Sequence, residues 1–583
     1  MASGAWRPKN LTWQVAPRYD GAEEMARRLG TVPLVAQILH NRGIEDADAA
    51  GAFMNPKLAD LHDPQLLGGV VPAAELIAKA VAAGKKFIIY GDYDVDGITA
   101  VAILHTVLKM VGADVHYYVP HRLGEGYGVN IDAVRKLIEN RFDVMITVDC
   151  GISAAGPLAA ASDAGVEIIV TDHHTIPEHL PPAAAIVHPN LPQGRYPNRD
   201  LSGAGVAFKL AWQIARKICG EKRVDQQMRD FLLDATCLAA LGTIADVVPI
   251  TGENRILATH GLRGLPASRH PGLRALIESA GLTGKHLDAY HVGFVLAPRL
   301  NACGRMGHAN LAVDLLADAP AQRCAKIAKF LAKQNTDRQK VQRAITAEAV
   351  EMVIENRLDS PAHLAIVLAS DQWHGGVVGI VASAIVRQFH RPAVLITFDS
   401  EGAGQGSARS IAGFHMAEAL AACSEHLSGF GGHAMAGGLK IQREKFDDFA
   451  AAFGDYARTH IKPEQLQATL KIDAETTLAR LSLNVVEHLR RLAPFGQGNA
   501  PPTVAVRACR VLIPPKRMGR NGQTAGLMLE QSGAALRAVG FGMGDLADML
   551  VGINHVDVAG EPVLNTFNGV TTVELKLKDV RWD

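Results

Sequence analysis

The chain has 583 residues, room for about three or four domains at roughly 150 residues each. Its 48% hydrophobic and 20% charged residues are those of a globular protein and exclude wholesale disorder. Lys plus Arg and Asp plus Glu balance at 59 each, which argues against a polycation coating nucleic acid and leaves local basic grooves open.

Residues 1–75 predict a helical N-terminal segment, with GAEEMARRLG and TVPLVAQILHNRG and no strand rhythm. From Lys86 the pattern changes to short β-branched runs, FIIY (87–90), VHYYV (115–119), DVMITV (143–148), VEIIV (166–170) and AAIV (184–187). Helix-like segments such as 98–112 and 130–141 separate the first four. Strands alternating with helices predict an α/β domain over 76–320, built on a parallel sheet whose ligand crevice lies at the carboxyl ends of the strands. The apolar positions of 98–110 are read as core.

Residues 321–358 lack Gly and Pro from Gln322 onward and predict a connector helix; two helices joined by a polar turn at Asn335–Asp337 are the alternative. Residues 359–465 predict a second α/β domain, with strands at 363–370 and 392–398 and a glycine-rich stretch, GFGGHAMAGG (429–438). Residues 466–583 are strand-rich and predict a small antiparallel barrel. No run of 18 apolar residues occurs and MASGAWRPKN has no signal-peptide core, so a soluble cytoplasmic protein without membrane contact is expected. The seven cysteines are scattered, odd in number and never spaced C-x-x-C, which argues against a disulfide framework or a cysteine zinc site as organiser.

The sharpest motif is Gly91-Asp92-Tyr93-Asp94-Val95-Asp96-Gly97, directly after an apolar strand. Three carboxylates at alternate positions repel one another unless a cation lies among them. A calcium loop of EF-hand type needs Glu at its twelfth position, where this chain has Ile103, and a helix before it, where this chain has a strand. Two further strands end in acids, at Asp149-Cys150-Gly151 and at Asp172-His173-His174, and Asp246 interrupts an apolar run. If these side chains meet, two divalent cations would offset most of their charge. Carboxylates mixed with imidazole suit Mn²⁺ or Mg²⁺ better than zinc, and such an ion pair is a standard device for phosphoester hydrolysis. The phosphate loop G-x-x-x-x-G-K-[ST] and the nucleophile elbow G-x-S-x-G are both absent, which disfavours a motor ATPase and a serine hydrolase.

GDYDVDG, VDCG, TDHH and GTIADVVP resemble the four motifs of the DHH phosphoesterase superfamily. WHGGVVGIVAS (373–383), GSARS (406–410) and GGHAMAGG (431–438) resemble its associated DHHA1 domain, and KIDAETTL with PFGQGNAPP (494–502) the opening of an OB-type domain. In order, and with SGAGVAFKLAWQ (202–213) and APRLNACGRMG (297–307), they look like the superfamily's single-strand-specific exonucleases. The domain order implied is a 76–320 DHH domain, a 321–358 connector, a 359–465 DHHA1 substrate-binding domain and a 466–583 OB-like domain. The resemblance implies a two-metal 5′-to-3′ exonuclease that releases nucleotides from single-stranded DNA in repair and recombination. It implies Asp149 as bridging ligand, Asp92 and Asp94 near one ion, and Asp96, His173 and Asp246 at the other. Asp172 and His174 complete the catalytic set, Asp172 orienting an imidazole. Arg122, Ser407 and Arg409 would hold a terminal phosphate, with His433 also on the substrate side. Arg299, Asn301 and Arg305 can line a phosphate track, and Lys516, Arg517 and Arg520, in an expected barrel loop, can guide the strand. A monomer working with single-strand-binding protein and a helicase is implied. Ala500 stands where the family usually has Pro, at a position expected to be far from the metal motifs. Two other classes share some of these features: a phosphodiesterase acting on short RNA or dinucleotides, and a non-catalytic replication scaffold.

Overall fold

The computed structural model describes residues 11–120, 128–192, 194–220, 224–306 and 309–582. They form two compact units. One comprises Asn55–Lys340 with Pro494–Ala500; the other comprises Met1–Met54, Val341–Ala493 and Pro501–Asp583.

The first unit is organised by a five-stranded sheet in the order Asp114–Tyr118, Lys86–Gly91, Val144–Val148, Glu167–Thr171, Ala185–Val187. Every pair is parallel, with Ile89 beside Tyr117 on one side and Ile146 on the other. The two central strands are almost wholly buried, which is why they read as continuous apolar runs rather than alternating ones. The chain moves outward from Lys86–Gly91 to Asp114–Tyr118, then returns to the opposite side at Val144–Val148. The crevice for ligands in such a sheet opens where the order reverses, and Asp92 and Asp149 follow the two strands that flank it. Helix Val95–Met110 is buried on nearly all sides, so its sequence carries almost no polar face. It packs against helices Gly203–Cys219 and Gln226–Ala245.

Helix Ala321–Glu355 runs unbroken for 35 residues. The polar turn at Asn335–Asp337 does not form, because Asn335 is buried within the helix and accepts a hydrogen bond from Arg338 at 3.0 Å.

The second unit contains a five-stranded sheet in the order Gly429–Gly432, Ala436–Gln442, Ala403–Arg409, Ala393–Phe398, Ile366–Ala369; only the last pair is parallel. Three of these strands were not expected, and all three are rich in glycine. A β-carbon at Gly406 would lie 2.9 Å from both Ile396 and Leu439, so the glycines admit neighbouring side chains rather than mark a loop. The barrel closes through Val504–Met518, Thr524–Gln531, Ala534–Phe541, Val570–Arg581 and His555–Phe567, back to Val504–Met518. It is not wholly antiparallel: Ala534–Phe541 pairs in parallel with Val570–Arg581, because a closed ring of five strands cannot alternate direction throughout.

The N-terminal segment is also not wholly helical. Thr12–Val15 is a strand paired in parallel with Thr469–Ile472. Trp13 Nε1 donates to Asp579 at 2.6 Å, and the guanidiniums of Arg507 and Arg581 lie 4.8 and 4.4 Å from its ring centre. Among the described residues no single helix is long and apolar enough to cross a membrane.

Candidate metal centre

The site is assembled where strands end and helices begin. Asp92 follows strand Lys86–Gly91. Asp94 caps helix Val95–Met110, its carboxylate accepting from the amides of Asp96 (2.9 Å) and Gly97 (3.2 Å). Asp96, in the first turn, accepts from the amides of Gly203 (2.5 Å) and Ala204 (2.9 Å), which open helix Gly203–Cys219. Unpaired amides at a helix start, and the dipole behind them, offset part of the charge on both carboxylates.

Asp149 leaves strand Val144–Val148 with φ of +58°, a left-handed conformation costly for a side chain of this kind. Val247, directly after Asp246, is held at +66°. The cluster also needs neighbours without side chains. A β-carbon at Gly203 would lie 2.7 Å from that of Asp149, and one at Gly242 would lie 2.4 Å from Asp96 Oδ1.

His173 joins the acids. Its Nε2 lies 3.1 Å from Asp149 Oδ1, 3.6 Å from Asp246 Oδ2 and 3.8 Å from Asp96 Oδ2. Potential ligand atoms fall into three groups, each within 4.8 Å: Asp92, Asp94 and Asp149; Asp96, His173 and Asp246; Asp149, His173 and His174. Asp172 stands apart because its oxygens are already engaged. Oδ2 accepts from the Ile152 amide at 2.9 Å, and Oδ1 from the amides of His173 (2.7 Å) and His174 (3.1 Å). Oδ1 also lies 2.7 Å from His174 Nδ1, so the imidazole that Asp172 orients is that of His174.

The electrostatics divide accordingly. Burial pushes the Asp149 carboxyl well above its ordinary range, reinforced by Asp96, Asp94, Asp246 and Asp92. Burial does the same to Asp96, with Asp246 and Asp94 adding to it, and lifts Asp246 to about 6 with Asp94 contributing. Burial and the neighbouring His174 lower His173 to about 4. Burial works against the charges of the Asp172–His174 pair, but their hydrogen bond prevails, leaving Asp172 at about 2 and His174 at about 9. Asp149 Oδ1 and His173 Nε2 are buried without a hydrogen-bond partner. Buried polar atoms left so are expensive, and carboxylate oxygens with one imidazole nitrogen form a donor set fit for Mn²⁺ or Mg²⁺.

The expected substrate residues are distributed differently. Arg122 lies outside the described residues. Arg299, Asn301 and Arg305 share helix Ala297–Met306. Arg299 is half-buried and donates to the Val295 carbonyl of the preceding turn, and burial lowers its pKa. Gly304 faces the acidic loop, where a β-carbon would lie 3.0 Å from the Tyr93 carbonyl. In the other unit, Ser407 and Arg409 lie two apart on strand Ala403–Arg409, and Arg409 Nη1 donates to Ser407 Oγ at 3.0 Å. His433 is exposed in the turn after Gly429–Gly432. Lys516 and Arg517 lie on a barrel strand rather than in a loop, and Arg517 pairs with Asp545 at 2.6 Å and Asp548 at 2.5 Å.

Two contributors escaped the sequence reading. One is the amide pair of Gly203 and Ala204, whose signal is the N-cap Ser202 before a small-residue helix start. The other is the segment Pro494–Ala500, of which only the position of Ala500 was expected to lie far from the metal motifs. It packs within the same unit on the segment leaving Asp246: the Ile250 amide donates to the Gln497 carbonyl at 2.8 Å, and Arg255 Nη1 to that of Pro494 at 3.4 Å.

Residues 86–239 match the DHH family N-terminal domain, 361–459 the DHHA1 domain and 472–579 the RecJ OB domain. The single-stranded-DNA-specific exonuclease RecJ of Bacillus subtilis is 37% identical over 98% of this chain and 70% of its own length. The chain belongs to the RecJ family. RecJ of Haemophilus influenzae is 34% identical over 93% of the chain and 95% of its own length. The crystal structure of RecJ from Thermus thermophilus in complex with Mn²⁺ superposes with a TM-score of 0.83 at 32% identity, covering 98% of this chain and 80% of that one. RecJ from the same organism in complex with Mg²⁺ gives 0.76 at 29% identity, with 98% and 79% covered.

Proposed function

We propose that this chain is a metal-dependent exonuclease that removes nucleotides from the 5′ end of single-stranded DNA, in DNA repair and recombination. The observation that carries the reading is the set of buried carboxylates and His173 at the sheet's switch point, within a chain that matches RecJ along nearly its whole length. Asp92, Asp94 and Asp149 would hold one divalent ion, Mn²⁺ or Mg²⁺, and Asp96, His173 and Asp246 a second, with Asp149 shared. Bound there, the ions supply an activated water and stabilise the oxygens exchanged at phosphorus. Asp172 fixes the His174 ring, which carries its Nδ1 proton toward Asp172. Asp94 and Asp96 are held by helix-start amides, so the cluster is preorganised before a strand arrives.

Residues 76–320 carry hydrolysis in this reading, 359–465 and 466–583 strand binding, and 321–358 the connection. Arg122, Arg299, Asn301 and Arg305 contact phosphates. Ser407 and Arg409, already hydrogen-bonded to each other, offer a hydroxyl and a guanidinium to a 5′-terminal phosphate, with His433 on the same substrate side. A cytoplasmic monomer supplied with strand by a helicase and single-strand-binding protein rests on the family resemblance alone. A short-RNA phosphodiesterase accounts less well for the OB domain at 472–579, and a non-catalytic scaffold does not account for the retained ligand set.

The test incubates 5′- and 3′-labelled single strands with Mn²⁺ or Mg²⁺ and resolves products by size. Immediate release of mononucleotide from the 5′ label is expected; degradation from the 3′ end, or of short RNA only, would reject the proposal.

A further inference from the structure

Helix Ala289–His291 passes through a π-helical segment, Val292–Leu296, into helix Ala297–Met306. Such segments are rare and recur at functional sites. On this run Tyr290 and Phe294 are 60% and 71% exposed. Their rings stack on one another, 5.0 Å between centroids and 27° between planes. The ring of His291 meets Tyr290 edge-on at 6.1 Å and is itself held 2.6 Å from Asp288, so the pair is buttressed from behind.

The location gives the pair its meaning. A β-carbon at Gly293, between the two aromatics, would lie 3.9 Å from Ile244, two residues before Asp246. The far end of the same run abuts the carbonyl of Tyr93, between Asp92 and Asp94, at Gly304. Arg299 and Arg305 lie along it. One helical run therefore packs against residues neighbouring Asp246 at one end and Asp92 and Asp94 at the other, and carries two guanidiniums and two exposed rings.

We propose that Tyr290 and Phe294 form a stacking platform for a nucleobase of the single strand beside the metal centre, a proposal that rests on the nuclease reading above. Bound ions would offset most of the carboxylates' charge without removing it, so an uncharged contact beside the centre helps to hold a strand there. Aromatic faces provide one, and they accept every base because every base has a π-face. That tolerance suits an enzyme that must advance along any sequence.

The experiment measures binding by the full-length protein in EDTA, using single strands that carry one abasic residue at successive positions. Wild type is expected to lose affinity about ten- to a hundredfold when the abasic residue reaches the platform. A Tyr290→Ala/Phe294→Ala variant and a Tyr290→Leu/Phe294→Leu variant should bind the intact strand more weakly by that factor. Both should be indifferent to the abasic position, with the salt dependence unchanged because no phosphate contact is lost. Wild-type affinity in the Leu variant would overturn the platform, since it keeps apolar area without a π-face. An abasic penalty that persists in the Ala variant would overturn it too. So would unchanged DNA affinity with an altered sedimentation coefficient, which would make the patch a protein-docking surface. Wild type that neither binds nor cleaves single strands would reject the nuclease reading and the platform with it; wild type that cleaves normally while the variants bind normally rejects the platform alone.

Discussion

Asp149→Asn separates the electrostatic cost of the cluster from its use. Asp149 is buried and shares a 4.8 Å neighbourhood with Asp92 and Asp94. At that distance two unit charges repel by about 3.5 kcal/mol for an effective dielectric constant of about 20. Without metal the protein escapes part of this by binding a proton. The penalty is therefore capped at the cost of protonation, about 1.4 kcal/mol per pH unit above the ordinary carboxylate range, or about 4 kcal/mol at pH 7. The Asp149 pKa is raised in the folded state. The metal-free folded protein thus binds more protons than the unfolded chain and loses stability as pH rises. Asn cannot titrate, so the variant should be more stable than wild type in EDTA at pH 7, by at most about 4 kcal/mol, and the gain should vanish toward pH 4. Mn²⁺ should reverse the order, because an ion that binds only the folded form stabilises it in proportion to the logarithm of its affinity. Hydrolysis should fall by more than the about ten- to hundredfold that loss of an outer partner costs. Urea unfolding at pH 4, 7 and 8.5, with EDTA or Mn²⁺, and cleavage on the same preparations measure all of this. A variant less stable than wild type in EDTA, or equally stabilised by Mn²⁺, would refute the reasoning.

Three further outcomes are expected. Arg409→Ala should slow hydrolysis of 5′-phosphorylated strands about ten- to a hundredfold more than that of 5′-hydroxyl strands, as loss of a charged hydrogen bond would; equal loss of kcat/KM on both would place Arg409 on internal phosphates. Gly242→Ala, whose β-carbon would lie 2.4 Å from Asp96 Oδ1 and 2.6 Å from that of Ala204, should cost about 1–3 kcal/mol and weaken Mn²⁺ binding measured by calorimetry, and unchanged affinity would show that Asp96 is not confined there. Glu253→Gln should destabilise by about 3–5 kcal/mol in urea, because Lys209, fully buried and 2.5 Å from Glu253, would lose its counter-charge; a loss below about 1 kcal/mol would mean that the His62 carbonyl, 2.6 Å from Lys209 Nζ, suffices.

The parallel sheet was legible because its inner strands are buried on both faces and so read as uninterrupted β-branched runs. Asp92, Asp149 and Asp172 were legible because each stands directly after such a run, and Asp246 because it breaks an apolar stretch that ends a helix. What escaped depends on partners far along the chain. Thr12–Val15 is four residues long and its partner lies more than 450 positions away, so no local pattern marks it. Ala403–Arg409 and Ala436–Gln442 carry glycine where packing demands small residues, and composition assigns glycine to turns. His555–Phe567 contains Gly560 and Pro562, both poor strand formers, yet closes the barrel. Arg517 reads as a free basic residue until Asp545 and Asp548 are brought to it by the fold.

The same reasoning distinguishes among carboxylates that look equivalent in sequence. Asp172 spends both oxygens on donors and is driven to a low pKa, so the fold itself satisfies it. Asp94 and Asp96 are partly satisfied by amides at two helix starts. Asp149 has none of this compensation at Oδ1: it is buried, held at positive φ, crowded by Gly203 and ringed by like charges. Folding meets these costs from the packing of helix Val95–Met110 and the central strands, which surround the cluster with apolar side chains. Asp149 therefore stands among the carboxylates with most to gain from a cation. That gradient, rather than the number of acids, is what makes Asp149 the candidate ligand to test first.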